Sequence, residues 1–293
     1  MVTEPEGFLV EVDAGARIHF LDWGAPPASA QAVPGPLVVL IHGLAQTSWS
    51  WAPVARLVCE QRRVVAPDLR GHGLSDAPTH GYDEATLAAD VAAVIDGAGE
   101  GSAGTVVVGH GFGAIVAAWS AALLGVRCAG LVLVDGGWQD VRATSGVEPD
   151  EFLKLIEEPP EVFRTMASYL ADRASFDPPT WDVDQERAAR AAVVEVPAGR
   201  VVSSTRPHAL AASVEAMFSY RPGLVLGEVT APIVALRAAD DEDGSSAREL
   251  REVQADLDAA GRAAIAVTHF PSAGHNLMRY RPAEVAAAIL ALG

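Results

Sequence analysis

Six short, nearly unbroken apolar runs most constrain how this chain folds: PLVVLIHG (36–43), RRVVAPD (62–68), TVVVG (105–109), GLVLVD (130–135), PIVALR (232–237) and AAIAVTHF (263–270). Each suits a strand covered on both faces, as in a parallel sheet. Helical patterns lie between and beyond them at 51–60, 84–99, 112–125, 246–261 and 282–292. Strand and helix in alternation predict an α/β fold, a mainly parallel central sheet flanked by helices. Ahead of the first run, segments 8–12 and 16–24 alternate in the manner of an antiparallel strand pair.

The rhythm breaks between about Trp138 and Leu226, where acidic helical stretches are interrupted by proline pairs, as in IEEPPEVF and FDPPTW. So long a segment is not a structureless loop in a compact domain. A mostly helical lid over residues 138–226 is therefore expected, inserted into a core made of 1–137 and 227–293. The plainer alternative is a string of packed helices with no gating role.

Half of the 293 residues are hydrophobic and a fifth are charged, enough to bury a full core. The formal charge of −17 repels phosphate backbones and anionic headgroups, so neither nucleic acid nor a membrane is an expected partner. The amino-terminal residues are acidic, without the basic and apolar regions of a secretion signal, and no run is long enough to span a bilayer. Cys59 and Cys128 are too few for a disulfide framework and fit small buried hydrophobes. Together these features place the chain in a reducing cytoplasm, acting on a small molecule.

Chemistry in such a fold belongs at the carboxyl ends of the parallel strands. Four segments there carry a pattern: Leu40-Ile41-His42-Gly43, then Asp68-Leu69-Arg70-Gly71-His72-Gly73-Leu74-Ser75, then Gly109-His110-Gly111-Phe112-Gly113, and near the carboxyl terminus Ala273-Gly274-His275-Asn276. The third has the spacing of the G-x-S-x-G strand-to-helix elbow, with glycine where the serine stands. In this order and at these strand ends, the four segments resemble the α/β-hydrolase superfamily, in its serine-hydrolase, esterase-like branch, over essentially the whole chain.

The resemblance implies roles residue by residue. Gly111 occupies the nucleophile position, where positive φ suits glycine but no oxygen is available for attack. His275 takes the place of the general base. The acid that orients it falls on Asp241, or on Asp240 if the loop after PIVALR is one residue tighter. Asp135 is a further acid candidate, because some members place the acid after that earlier strand. The acidic cluster around 240–243 also reads as a solvated turn. The oxyanion donors are the backbone N–H groups of Leu44 and Phe112. His42 and His72 read as loop organisers. Trp49, Trp51, His110 and Trp138 are candidate lining for an apolar substrate pocket, with core packing an equal explanation for the tryptophans.

Scattered histidines and the lack of H-x-x-x-H or C-x-x-C spacing predict no metal, and no glycine-rich fingerprint follows the first parallel strand, so no cofactor is expected. An aspartate-nucleophile epoxide hydrolase or dehalogenase is disfavoured by Gly111 and by Leu44-Ala45 in place of an early proline. Three functions stay open for a small, mainly apolar carbonyl compound. One is an esterase, lactonase or C–C hydrolase whose serine has been replaced. Another is a non-covalent enzyme (water-activating hydrolase, lyase or cyclase) using His275 as base. The third is a binding protein that keeps the pocket without the chemistry.

Overall fold

A computed structural model describes residues 4–24, 35–99, 103–156, 163–197, 200–239 and 244–293. The strands are β1 (Glu6–Glu11), β2 (Arg17–Asp22), β3 (Leu37–Ile41), β4 (Val64–Pro67), β5 (Thr105–His110), β6 (Cys128–Val134), the pair β7 (Val193–Val196) and β8 (Arg200–Ser203), then β9 (Ile233–Arg237) and β10 (Ala266–His269). Eight of them form one sheet in the order β1-β2-β4-β3-β5-β6-β9-β10. β1 and β2 are antiparallel, as is β2 against β4, and every pairing from β4 to β10 is parallel. The expected fold class holds.

Helices α1 (Ala52–Val58), α2 (Glu84–Ala98) and α3 (Phe112–Leu124) follow β3, β4 and β5; α10 (Ser245–Ala259) precedes β10, while α11 (Leu277–Tyr280) and α12 (Pro282–Leu290) close the chain. Two apolar layers cover the sheet. One face packs Val39, Val107 and Leu131 against α2 and α3; the other packs Val38, Val106 and Val132 against α1 and α12. Alternate residues of one strand thus enter opposite layers, which is why these strands read as unbroken apolar runs. Both cysteines are buried, and burial pushes the Cys128 thiol up to about 11, leaving it inert at neutral pH.

Between β6 and β9 the described residues form α4 (Val141–Thr144), α5 (Pro149–Ile156), α6 (Met166–Phe176), α7 (Val183–Ala191), the antiparallel β7–β8 pair, α8 (Pro207–Ser219) and α9 (Pro222–Glu228). These described residues are mostly helical, with a small separate sheet that the sequence pattern does not indicate. The insert is fastened to the core by charge. Arg56 of α1 pairs with Asp184 of α7 and with Glu4 (3.0 Å), Glu4 pairs in turn with Arg187, and the Arg187 guanidinium lies 4.4 Å from the centre of the Trp49 ring. No helix among the described residues is long and apolar enough to cross a membrane.

The chain runs from β3 to β4 on one side and then to β5 on the other. The loops after β3 and β5 therefore diverge at a topological switch point, where this class of sheet opens a crevice.

Candidate active site

The elbow after β5 is built by steric exclusion. A Cβ on Gly109 would overlap the carbonyl oxygen of Gly113, and one on Gly113 would overlap the carbonyl oxygens of Ile41 and His42. Helix α3 therefore starts in backbone contact with the end of β3, and both outer glycines are obligatory. Gly111 differs. It holds φ 54° and ψ −118° at the N-cap of α3, and a Cβ there would meet nothing closer than His275 Nε2, at 3.3 Å. The turn thus aims residue 111 at the imidazole.

His275 sits in the loop between β10 and α11. Its Nδ1–H donates to Asp135 Oδ2 at 2.7 Å, so in the neutral ring Nε2 is the acceptor, and it faces the elbow. Asp135 follows β6 with φ 46°, an uncommon value for a residue other than glycine. Its second oxygen accepts the Ala238 N–H at 2.8 Å, and its own N–H donates to Leu236 O. The carboxylate is thus clamped by the neighbouring strand on one oxygen and presents the other to His275. Asp240 and Asp241 lie outside the described residues; among the described residues, the carboxylate in contact with His275 is that of Asp135.

The loop after β3 is fixed by His42. Its Nε2 accepts the Leu69 N–H (2.9 Å) and its Nδ1–H donates to Gly43 O (2.8 Å). His72 Nδ1–H donates to Arg70 O at 3.1 Å. Both rings are buried, and both organise loops. Asp68 anchors the same region by accepting from His19 Nδ1–H, the Ser48 N–H and the Leu74 N–H. Burial opposes its charge, but these donors hold the carboxyl below the usual carboxylate range. The backbone N–H groups of Leu44 and Phe112 have no hydrogen-bond partner among the described residues, and both residues border the crevice.

That crevice is a cavity of about 480 Å³ reaching Gly111, Asp135 and His275. Its apolar wall comes from Phe112 and Ile115 of α3 and from Phe152, Ile156, Leu210 and Met217 of the insert. His110 lies on its border, whereas Trp49, Trp51 and Trp138 are placed elsewhere. Trp51 is fully buried in the α1/α12 layer. Trp138 is buried against α10, its Nε1–H donating to Ser246 Oγ at 3.2 Å. Trp49 packs edge-on against Trp23 under Arg187. Nearness in sequence to a site loop does not decide which way a side chain points, and in each case a large aromatic surface is buried elsewhere. The insert residues that line the cavity carry a weak sequence signal, the i, i+4 pair Phe152 and Ile156 on α5.

Two further polar groups tie the loops together. His110 Nε2–H donates to His275 O at 3.1 Å, with ring centres 4.4 Å apart. Gln46 accepts the Gly43 N–H on Oε1 (3.1 Å) and donates from Nε2 to Asn276 Oδ1 (2.8 Å). His42, His72 and His110 are all driven by burial below the usual histidine range, His72 to about 3, and the neighbouring His275 adds to the effect on His110. The unfolded chain, with histidines near 6.5, then binds more protons than the folded one as pH falls below 6.5. Stability is therefore expected to drop from that point downward, the His72 contribution being exhausted near 3. Urea midpoints measured between pH 8 and 5 check this; a flat profile would refute it.

Residues 38–288 match the Alpha/beta hydrolase family. The soluble epoxide hydrolase of Corynebacterium sp. (strain C12) is 37% identical over 103 residues, 35% of this chain and 32% of that protein. The matched segment spans about a third of the length of such curated relatives. Among solved structures, E-2-(acetamidomethylene)succinate hydrolase superposes with a TM-score of 0.76 at 21% identity, covering 98% of each chain. The thioesterase domain from the curacin biosynthetic pathway gives 0.75 at 22%, covering 98% of this chain and 99% of that one. At such identities the likeness is one of fold.

Proposed function

Because the chain belongs to the alpha/beta hydrolase family, we propose that its crevice is a hydrolase site of the serine type in which Gly111 holds the nucleophile position without a nucleophile. The observation that carries this reading is the aim of the elbow, which would set a side chain on residue 111 3.3 Å, measured from its Cβ, from His275 Nε2. Asp135 is the orienting acid in this reading, and the Leu44 and Phe112 N–H groups are the oxyanion donors. The substrate is a small, mainly apolar carbonyl compound suited to the cavity wall, and the insert acts as the lid over it.

Without a side-chain oxygen at residue 111, the chemistry open to the chain is general-base catalysis on water. Neutral His275 takes a proton from water at Nε2 as the water oxygen adds to the substrate carbonyl. The two N–H groups receive the developing oxyanion, and Asp135 stabilises the imidazolium. Collapse of the tetrahedral intermediate expels the leaving group, which takes the proton back from Nε2. An epoxide-opening activity like that named for the Corynebacterium relative is less well supported, since its carboxylate nucleophile would have to stand at Gly111.

Turnover of short-chain aryl esters and lactones by Gly111→Ser tests the reading. A gain of several orders of magnitude over the parent chain, up to about 10⁶-fold, is expected, abolished when His275→Ala is added. A folded Gly111→Ser variant that stays inert on the whole panel refutes it. Slow turnover by the parent chain should itself depend on His275; ligand binding without such turnover would mark a binding protein instead.

A further inference from the structure

A second cavity of about 430 Å³ adjoins the first, between α6, α7 and the loop after β3. The two share Ala45, Gln46 and Asn276 as a common wall. The Gln46–Asn276 hydrogen bond is therefore the sill between the chambers. In a chain with 38 acidic and 21 basic residues, the charged residues among the described lining of this side chamber are two arginines, Arg173 and Arg279, with no Asp or Glu. That is the reverse of the chain's overall bias.

Both guanidinium groups are held from outside the chamber. Arg279 donates from Nε to Thr180 Oγ1 (2.7 Å) and from Nη2 to Asp177 O (3.1 Å), and makes no direct carboxylate bond among the described residues, the Asp177 carboxylate being one hydroxyl removed, where it accepts from Thr180 Oγ1 (2.9 Å). Arg173 is fixed by Asp172 through Nε (3.1 Å) and lies over the Phe176 and Tyr169 rings at 4.8 and 5.5 Å. A third group lines the same space. Thr47 is 2% exposed, and its Oγ1 has no hydrogen-bond partner among the described residues. A buried hydroxyl whose hydrogen bond is left unmade is costly, and a guanidinium such as that of Arg279, with no direct carboxylate bond, suits an anionic ligand oxygen.

We propose that the side chamber is an acid-recognition subsite, which makes the substrate class a carbonyl compound bearing a carboxylate. The apolar part would occupy the catalytic chamber, and the carboxylate would pass over the Gln46–Asn276 sill to Arg279, with Arg173 and Thr47 beside it. This rests on the catalytic chamber being where the carbonyl group binds. It adds what the apolar wall alone does not specify, a charge requirement at one end of the molecule.

Calorimetric titration of phenylacetate, 4-phenylbutyrate and 6-phenylhexanoate against the corresponding neutral amides tests it without any turnover. At least one acid is expected to bind about tenfold or more tightly than its amide, with the difference shrinking as salt rises. Arg279→Met should erase the preference while leaving amide binding in place. Because Arg279 also braces the 177–180 turn, Arg173→Met and Thr47→Val serve as independent variants, each expected to weaken acid binding alone, with thermal melts confirming folding. Equal binding of acid and amide, failure of every acid to bind, or a preference untouched by all three substitutions would overturn the proposal. Ester turnover by Gly111→Ser on uncharged substrates is unaffected by any of these results, so the subsite can fail while the hydrolase reading stands, and the reverse.

Discussion

Asp135→Asn, introduced into the Gly111→Ser background, is expected to lower kcat toward aryl esters by about 10⁴-fold, the scale seen when the acid of a Ser-His-Asp triad is neutralised. The argument is local. The carboxylate accepts the Nδ1 proton of His275 at 2.7 Å and is itself aligned by the Ala238 N–H. An amide in its place can present its NH₂ group to Nδ1, which favours the tautomer with the proton on Nε2 and removes the base. KM should change much less, since Asp135 reaches the substrate only through the ring. Asp240→Asn and Asp241→Asn in the same background are expected to retain most of the activity. If Asp241→Asn is the variant that collapses, the acid has been misassigned.

Gly113→Ala should be among the most destabilising single-methyl additions available in this chain. Its Cβ would overlap two backbone carbonyl oxygens, those of Ile41 and His42. Neither can swing aside as a side chain can, so α3 would have to lift from β3 at the floor of the crevice. Overpacking of a core commonly costs 1–3 kcal/mol, and a clash with fixed backbone is expected to exceed about 3 kcal/mol. Gly111→Ala provides the control. Its nearest contact is the His275 ring, at 3.3 Å, and its cost is that of holding alanine at φ 54°, of order 1–3 kcal/mol. Urea unfolding of the two variants separates the cases, and equal losses would show that the close approach of α3 to β3 is not rigid.

Much of this architecture is legible in the residue order, for physical reasons that also mark where legibility stops. The central strands are buried on both faces, so their apolar runs stand out, and β5 at Thr105–His110 lies within a residue of the run that predicts it. The edge strand β10 is exposed along its whole length and shrinks to Ala266–His269 within the longer run 263–270. The elbow glycines are recognisable by their fixed spacing across a strand-to-helix turn, although what excludes a side chain at Gly113 is the distant end of β3. The partner of His275 is not recognisable in this way, since both β6 and β9 end near acidic residues, and what favours Asp135 is a positive φ and a cross-strand N–H that only the assembled sheet supplies. The tryptophans show the same limit, being placed by the layers they fill rather than by the loops they follow.

The bridge from Gln46 to Asn276 joins residues 230 positions apart, and the bond from His110 to the His275 carbonyl spans 165. Contacts of such sequence separation form late, because the intervening chain must first be confined. During synthesis, β3, β5 and the elbow emerge long before the loop that carries the imidazole. The elbow is thus synthesised well before His275, and the approach of residue 111 to the imidazole waits on the docking of β10 at the edge of the sheet. The edge strand β10 therefore decides both the closure of the sheet and the placing of His275.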